Sequence, residues 1–269
     1  MLPRHLIALD LDGTLLPKNQ EISLRTKKAI QKAKEQGHVV AIATGRPYRA
    51  SKRYYQELHL TTPIINFNGA QVHHPLDPSY QATHESIDLK TARSLLTMCE
   101  EIDAWNVMVE VRDDFYLERQ EGFFAEMLTS GYTPRGTGRL LDLIDAPPTA
   151  ILVLPRKDGA ERLKKALDLQ NAETTLQRWW TGEFNIVEIA PRRVTKALGL
   201  QKLASEYGIA REHIIAFGDE DNDIEMITYA GQGVAMANAI DPVLQAAHSI
   251  TASNEEDGIA LYLEKALRL

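Results

Sequence analysis

Hydrophobic residues in the first third of the chain come in short unbroken runs, each closed by polar residues or glycine. Ile7-Ala8-Leu9 and Val39-Val40-Ala41-Ile42-Ala43 are too short for helices and apolar on both faces, and Ile64-Ile65-Asn66-Phe67 is a third short strand. Runs of that kind are strands buried on both sides of a sheet. Between them the pattern turns polar and helical. One helix is capped by Ser23, runs through Lys34 and Glu35 and stops at Gly37, and a second carries Tyr54, Tyr55 and Leu58. Buried strands alternating with helices predict a parallel, doubly wound α/β sheet.

The middle of the chain is patterned differently. Asp88 to Glu101 puts Leu89, Ala92, Leu95, Leu96 and Cys99 on one helical face. Val107, Val109 and Val111 then alternate with polar residues, and an Arg112-Asp113-Asp114 turn leads into Phe115-Tyr116-Leu117, which predicts a hairpin. A strand over Ala150 to Leu154, a helix through Leu163 and Leu167, and strands near Leu176–Trp180 and Phe184–Ile189 complete an α+β segment. From about residue 191 the first pattern returns. A helix over Thr195–Tyr207 stops at Gly208, and strands follow at His213–Phe217, Gly233–Met236 and Ser249–Thr251, with a last helix after Asp257-Gly258. Residues 1–82 and 191–269 are therefore expected to form one Rossmann-like doubly wound core, with 83–190 inserted as an α+β cap domain.

Polar residues gather where the buried runs end. Asp10 and Asp12 close the first strand, Thr44 and Gly45 the second, and Asp219, Asn222 and Asp223 follow the strand at 213–217; Lys196 opens a helix. Residues i and i+2 of an extended segment share a face, so Asp10 and Asp12 can converge at the carboxyl end of the strand, where open α/β sheets bind ligands. Two carboxylates that close need a cation or a shared proton. Taken singly, Asp12-Gly13 or Thr44-Gly45 reads as a turn and Lys196 as a surface charge. Their joint occurrence at the strand ends of one sheet is what such readings explain poorly.

Composition narrows the possibilities further. The 269 residues are 44% hydrophobic and 25% charged, ordinary for a globular protein of two domains. A net charge of −7 and a pI near 5.7 argue against a nucleic-acid partner. The single cysteine, Cys99, excludes an internal disulfide framework and reads as a small core residue. His73-His74 lacks the spacing of a zinc site. With no long apolar run and no signal-peptide pattern, a cytoplasmic protein with no membrane partner is expected.

The motifs Asp10-Leu11-Asp12-Gly13-Thr14, Thr44-Gly45-Arg46, Lys196 and Gly218-Asp219-Glu220-Asp221-Asn222-Asp223 resemble, in order, the four motifs of the haloacid dehalogenase superfamily. The resemblance is to its Cof-type phosphatases, which carry a large α/β cap between the second and third motifs. Asn68-Gly69-Ala70, Gly233 to Ala239 and Ser253 to Gly258 look like the same group. That family more often has glycine near Arg193 and where Ala197 stands. The resemblance implies a phosphatase for small phosphorylated metabolites, sugar phosphates in particular. In it Asp10 is the nucleophile and Asp12 the general acid and base. Mg²⁺ is held by Asp10, the Asp12 backbone carbonyl and Asp219, and Asp223 orients these ligands. Leu11, Thr44, Gly45, Lys196 and Asn222 bind the phosphate, and Arg46 contacts the substrate. The cap is expected to act as a lid that sets specificity, with Arg112, Arg119, Arg135, Trp179, Trp180 and Glu183 as candidates. A monomer or weak homo-oligomer is expected. A phosphomutase, which shares the phosphoaspartate, and a non-catalytic Mg²⁺- and phosphate-binding regulatory module are the alternative readings.

Overall fold

The structure, a computed structural model, describes residues 3–129, 131–156, 159–170, 175–180 and 185–269. The chain divides into two units, one of Met1–Thr83 with Thr195–Leu269 and one of His84–Val194.

In the first unit five parallel strands lie in the order Ser249–Ile250, Gln232–Ala235, Ile214–Gly218, Leu6–Leu9 and Val39–Ile42. Side-chain alternation divides their residues between two cores. Ile7, Leu9, Val40, Ile42, Ile215 and Phe217 pack with Ile30 and Ala33 of the helix Leu24–Glu35 and with Ile259 and Leu263 of the helix Gly258–Leu267. Leu6, Ala8, Val39, Ala41, Ile214 and Ala216 pack on the other face with Leu200, Leu203 and Ala204 of the helix Lys196–Tyr207. Burial on both faces is why these strands read as unbroken apolar runs. Leu9 pairs with Phe217 on one side and Ile42 on the other, so Asp10 leaves the central strand beside Gly218 and Ala43.

The third run departs from expectation. Its strand is Ile64–Asn66; Ile65 makes the expected parallel contact as a bridge to Ala43, but the strand's ladder is an antiparallel one with Gln71–His73. Phe67 is not in the strand. It and Asn68 have positive φ, 50° and 55°, in a short 3-10 turn, a left-handed bend that an apolar run does not announce.

In the second unit a six-stranded sheet has the order Thr175–Trp180, Ile186–Pro191, Ala150–Leu154, Asn106–Val111, Asp114–Leu117 and Gly136–Thr137. Val107, Val109, Ile151, Val153, Val187 and Ile189 face the helix Leu89–Glu101 and Leu163 and Leu167 of the helix Ala160–Gln170. Val111 pairs with Asp114, so the hairpin turn is Arg112-Asp113 alone, with Arg112 at φ 56°. Cys99 is free and buried in this core, where burial pushes its thiol up to about 12. No described helix is long and apolar enough to cross a membrane.

Candidate active site

The ends of the parallel strands collect the charged residues. Asp10 is buried at the end of the central strand, and the Lys196 ammonium lies 2.5 Å from its Oδ1 and 2.7 Å from Oδ1 of Asp223. Lys196 is the first residue of a helix capped by Thr195, whose hydroxyl accepts from the Leu198 amide. Its side chain is 0% exposed, so it is no surface charge. Burial pulls the ammonium's pKa down, but Asp10 and Asp223 more than offset this and the net shift is upward.

Asp223 has both oxygens engaged. Oδ1 accepts from Lys196, and Oδ2 accepts from the backbone N–H groups of Asp219 and Glu220 at 3.0 and 3.2 Å. It therefore ties the loop after the strand Ile214–Gly218 to Lys196. Asp219 Oδ1 accepts from the Thr14 hydroxyl at 2.6 Å. Its Oδ2 faces Gly13, where an added Cβ would lie 2.0 Å from it, and Gly13 also has φ +75°. Glycine is required there both for backbone conformation and for close approach.

Oxygens of Asp10, Asp219 and Asp223 lie within 4.8 Å of one another. Burial raises the Asp10 pKa well above the usual carboxylate range; Lys196 pulls against that, and Asp223 and Asp219 add to it. Burial likewise pushes Asp219 up to about 7. With all three carboxylates ionised, the one ammonium leaves two negative charges uncompensated, and the donors are all oxygen. That set fits a hard divalent cation such as Mg²⁺.

The Asp12 side chain lies outside this cluster. It is 54% exposed and is gripped by the Arg46 guanidinium, whose Nε donates to Oδ2 at 2.7 Å and whose Nη2 donates to Oδ1. Only the backbone of Asp12 is thus left as a candidate metal ligand. The sequence marked Arg46 as a substrate contact; in the structure its partner is a carboxylate of the first motif. Thr44 is buried and its hydroxyl accepts from the Arg46 amide at 3.1 Å. A Cβ at Gly45 would come 3.2 Å from the side-chain amide of Asn68. Asn222 donates to Asn68 Oδ1 at 2.8 Å. Leu11 is buried in the turn after Asp10, its carbonyl accepting from the Thr14 and Leu16 amides.

Several supporting residues had no assigned role in the sequence. Thr14 and Asn68 lie inside the motifs Asp10–Thr14 and Asn68-Gly69-Ala70. Asn238 donates to the Gly13 carbonyl at 2.8 Å, and Asn254 donates to both Asn238 Oδ1 and the Leu16 carbonyl. These two asparagines explain the stretches at 233–239 and 253–258, which clamp the turn of the first motif from outside. Gln20, which accepts from Arg46, carried no local signal. Among the candidates in the inserted unit, Arg119 donates to the Trp105 carbonyl, Arg135 pairs with Asp114, and the Arg112 amide donates to Thr149. The side chains of Trp179 and Trp180, together with Glu183 and Phe184, lie outside the described residues.

The family model for haloacid dehalogenase-like hydrolases matches residues 7–263. A Bacillus subtilis protein named 5-amino-6-(5-phospho-D-ribitylamino)uracil phosphatase YitU is 43% identical over 98% of both chains. YcsE of the same organism, named for the same activity, is 31% identical over 98% of this chain and 94% of its own. A solved haloacid dehalogenase-like hydrolase from Bacteroides thetaiotaomicron has 28% identity and a TM-score of 0.85, covering 98% of this chain and all of the other. With its four motifs converging at the ends of one parallel sheet, the chain belongs to the haloacid dehalogenase-like hydrolases and is a phosphatase of their Cof-type group.

Proposed function

We propose that the protein is a Mg²⁺-dependent phosphomonoesterase that works through a phosphoaspartate on Asp10. The observation that carries this reading is the buried cluster of Asp10, Asp219 and Asp223 around Lys196. Asp10, the Asp12 carbonyl and Asp219 hold the ion, with Asp223 orienting them. The bound cation offsets the repulsion between Asp10 and the phosphate dianion. An Asp10 oxygen attacks phosphorus as the bond to the ester oxygen breaks. The departing electron pair stays on that oxygen, which takes a proton from Asp12. A water molecule then gives a proton to Asp12 and attacks phosphorus, and the bond to Asp10 breaks to release inorganic phosphate. Lys196, Thr44, Asn222 and the Leu11 and Gly45 amides steady the charge on the transferring group.

The substrate we infer is a phosphorylated ribityl chain on an aminopyrimidine, as in the compound for which YitU and YcsE are named. This narrows the sugar-phosphate expectation. The inserted unit supplies the discrimination, and the enzyme works in the cytoplasm as a monomer or weak homo-oligomer. The test is phosphate release from 5-amino-6-(5-phospho-D-ribitylamino)uracil and from a panel of sugar phosphates and nucleotides, with Mg²⁺ or with chelator. The ribityl ester is expected to lead the panel, and chelator and Asp10→Asn are each expected to lower release by at least about 10³-fold. Undiminished release in Asp10→Asn would remove the mechanism. Retention of the phosphate on a second hydroxyl of the product would favour a phosphomutase.

A further inference from the structure

We propose that Arg46 is the positioning residue of the Asp12 carboxyl, and that the loop residue Gln20 and the ring of Tyr54 hold it in that role. The inference rests on the reading of Asp12 as the proton donor to the leaving group. A half-exposed aspartate can rotate about two side-chain bonds, and a proton aimed at random contributes little to transfer. Arg46 removes that freedom, because two parallel N–H bonds from one planar guanidinium fix the plane of the carboxylate as well as its position.

Arg46 is itself fixed along its whole length. Its amide donates to Thr44 Oγ1, and its carbonyl accepts from Asn66 Nδ2 at 2.8 Å and from the Phe67 amide at 3.3 Å. Its Nη2 also donates to Gln20 Oε1 at 2.6 Å, its Nη1 to the Ala50 carbonyl at 3.3 Å, and its guanidinium lies 5.5 Å from the Tyr54 ring centroid. Gln20 holds φ +61°, a conformation unfavourable for a residue with a side chain. Its carbonyl accepts from Arg53 and the Tyr54 hydroxyl, and its Oε1 from the same hydroxyl. A merely charge-balancing arginine needs none of this scaffold, whereas an arginine that sets a direction does.

Leaving groups separate a positioning role from substrate binding. A sugar alkoxide departs poorly without a proton, while p-nitrophenolate departs without one, so loss of the aimed acid penalises the alkyl ester selectively. The measurement is kcat/KM, which reports formation of the phosphoenzyme, for ribose 5-phosphate and p-nitrophenyl phosphate. The proteins are wild type, Asp12→Asn, Arg46→Gln and Arg46→Lys, each checked for wild-type thermal melting. Arg46→Gln is expected to lower the alkyl ester by about 10²-fold and the aryl ester by less than about 5-fold. Arg46→Lys, which keeps the charge and loses the fork, is expected to behave in the same way. Equal losses on both esters, carried by KM, would make Arg46 a substrate contact and overturn the inference. So would unchanged selectivity in both Arg46 variants while Asp12→Asn discriminates. If Asp12→Asn itself lowered both esters equally, the reading of Asp12 as the acid would fall instead.

Discussion

At the scale of single residues, the site depends on a lysine buried between two carboxylates. Asp223 touches no surface and accepts three donors, from Lys196 and the amides of Asp219 and Glu220. Asp223→Asn turns one of its acceptor oxygens into an N–H₂ group, which must face either an ammonium or two amides. The expected result is a loss of about 3–5 kcal/mol in unfolding free energy and about 10²–10³-fold in kcat/KM, measured by denaturant unfolding and steady-state kinetics. The motif spacing made Asp10, Lys196 and Asp223 legible in the sequence because each sits at a strand end or helix start. The Arg46 to Asp12 pair was not legible. It spans 34 positions and depends on the direction of two side chains, which periodicity does not encode.

Among the elements, the apolar runs of the parallel sheet could be read because burial on both faces leaves no polar residue to interrupt them. Leu6–Leu9 and Val39–Ile42 are buried at every position. The strand at Ile64–Asn66 was placed correctly in sequence and keeps a parallel bridge to Ala43, but its antiparallel partner Gln71–His73 was not foreseen, since the turn through Phe67 and Asn68 depends on left-handed backbone rather than on hydrophobicity. The short helix Asp241–Ala246 was missed, being under two turns long and without room for a helical repeat. The two asparagine stretches after residue 232 had family likeness but no visible purpose until Asn238 and Asn254 met the Gly13 to Leu16 turn. Contacts more than 200 positions apart are beyond any local pattern.

For the whole molecule, stability should carry a signature far from the reaction. At the end of the sheet opposite Asp10, His5 has ring centroids 5.2 Å from His38 and 5.4 Å from His213, and the His5 amide donates to His38 Nδ1 at 3.0 Å. Burial lowers the pKa of both His5 and His38; His213 adds to the effect on His5, and His5 and Arg4 to that on His38. A histidine lowered on folding binds its proton more weakly in the native state, so its contribution is full above the unfolded value near 6.5 and is lost as pH falls through it. Asp10 and Asp219, raised by burial, act in the opposite sense in metal-free protein. Comparing variants removes that background. His38→Asn, which keeps an acceptor for the His5 amide, should lose less unfolding free energy than wild type between pH 7.5 and 5.5, and parallel losses would contradict this. The central claim is that the phosphoryl group passes to a protein carboxylate before it reaches water. The stereochemical course at phosphorus, followed with a chiral thiophosphate ester, tests it most directly: two in-line displacements predict net retention, and net inversion would mean direct attack by water and contradict the account.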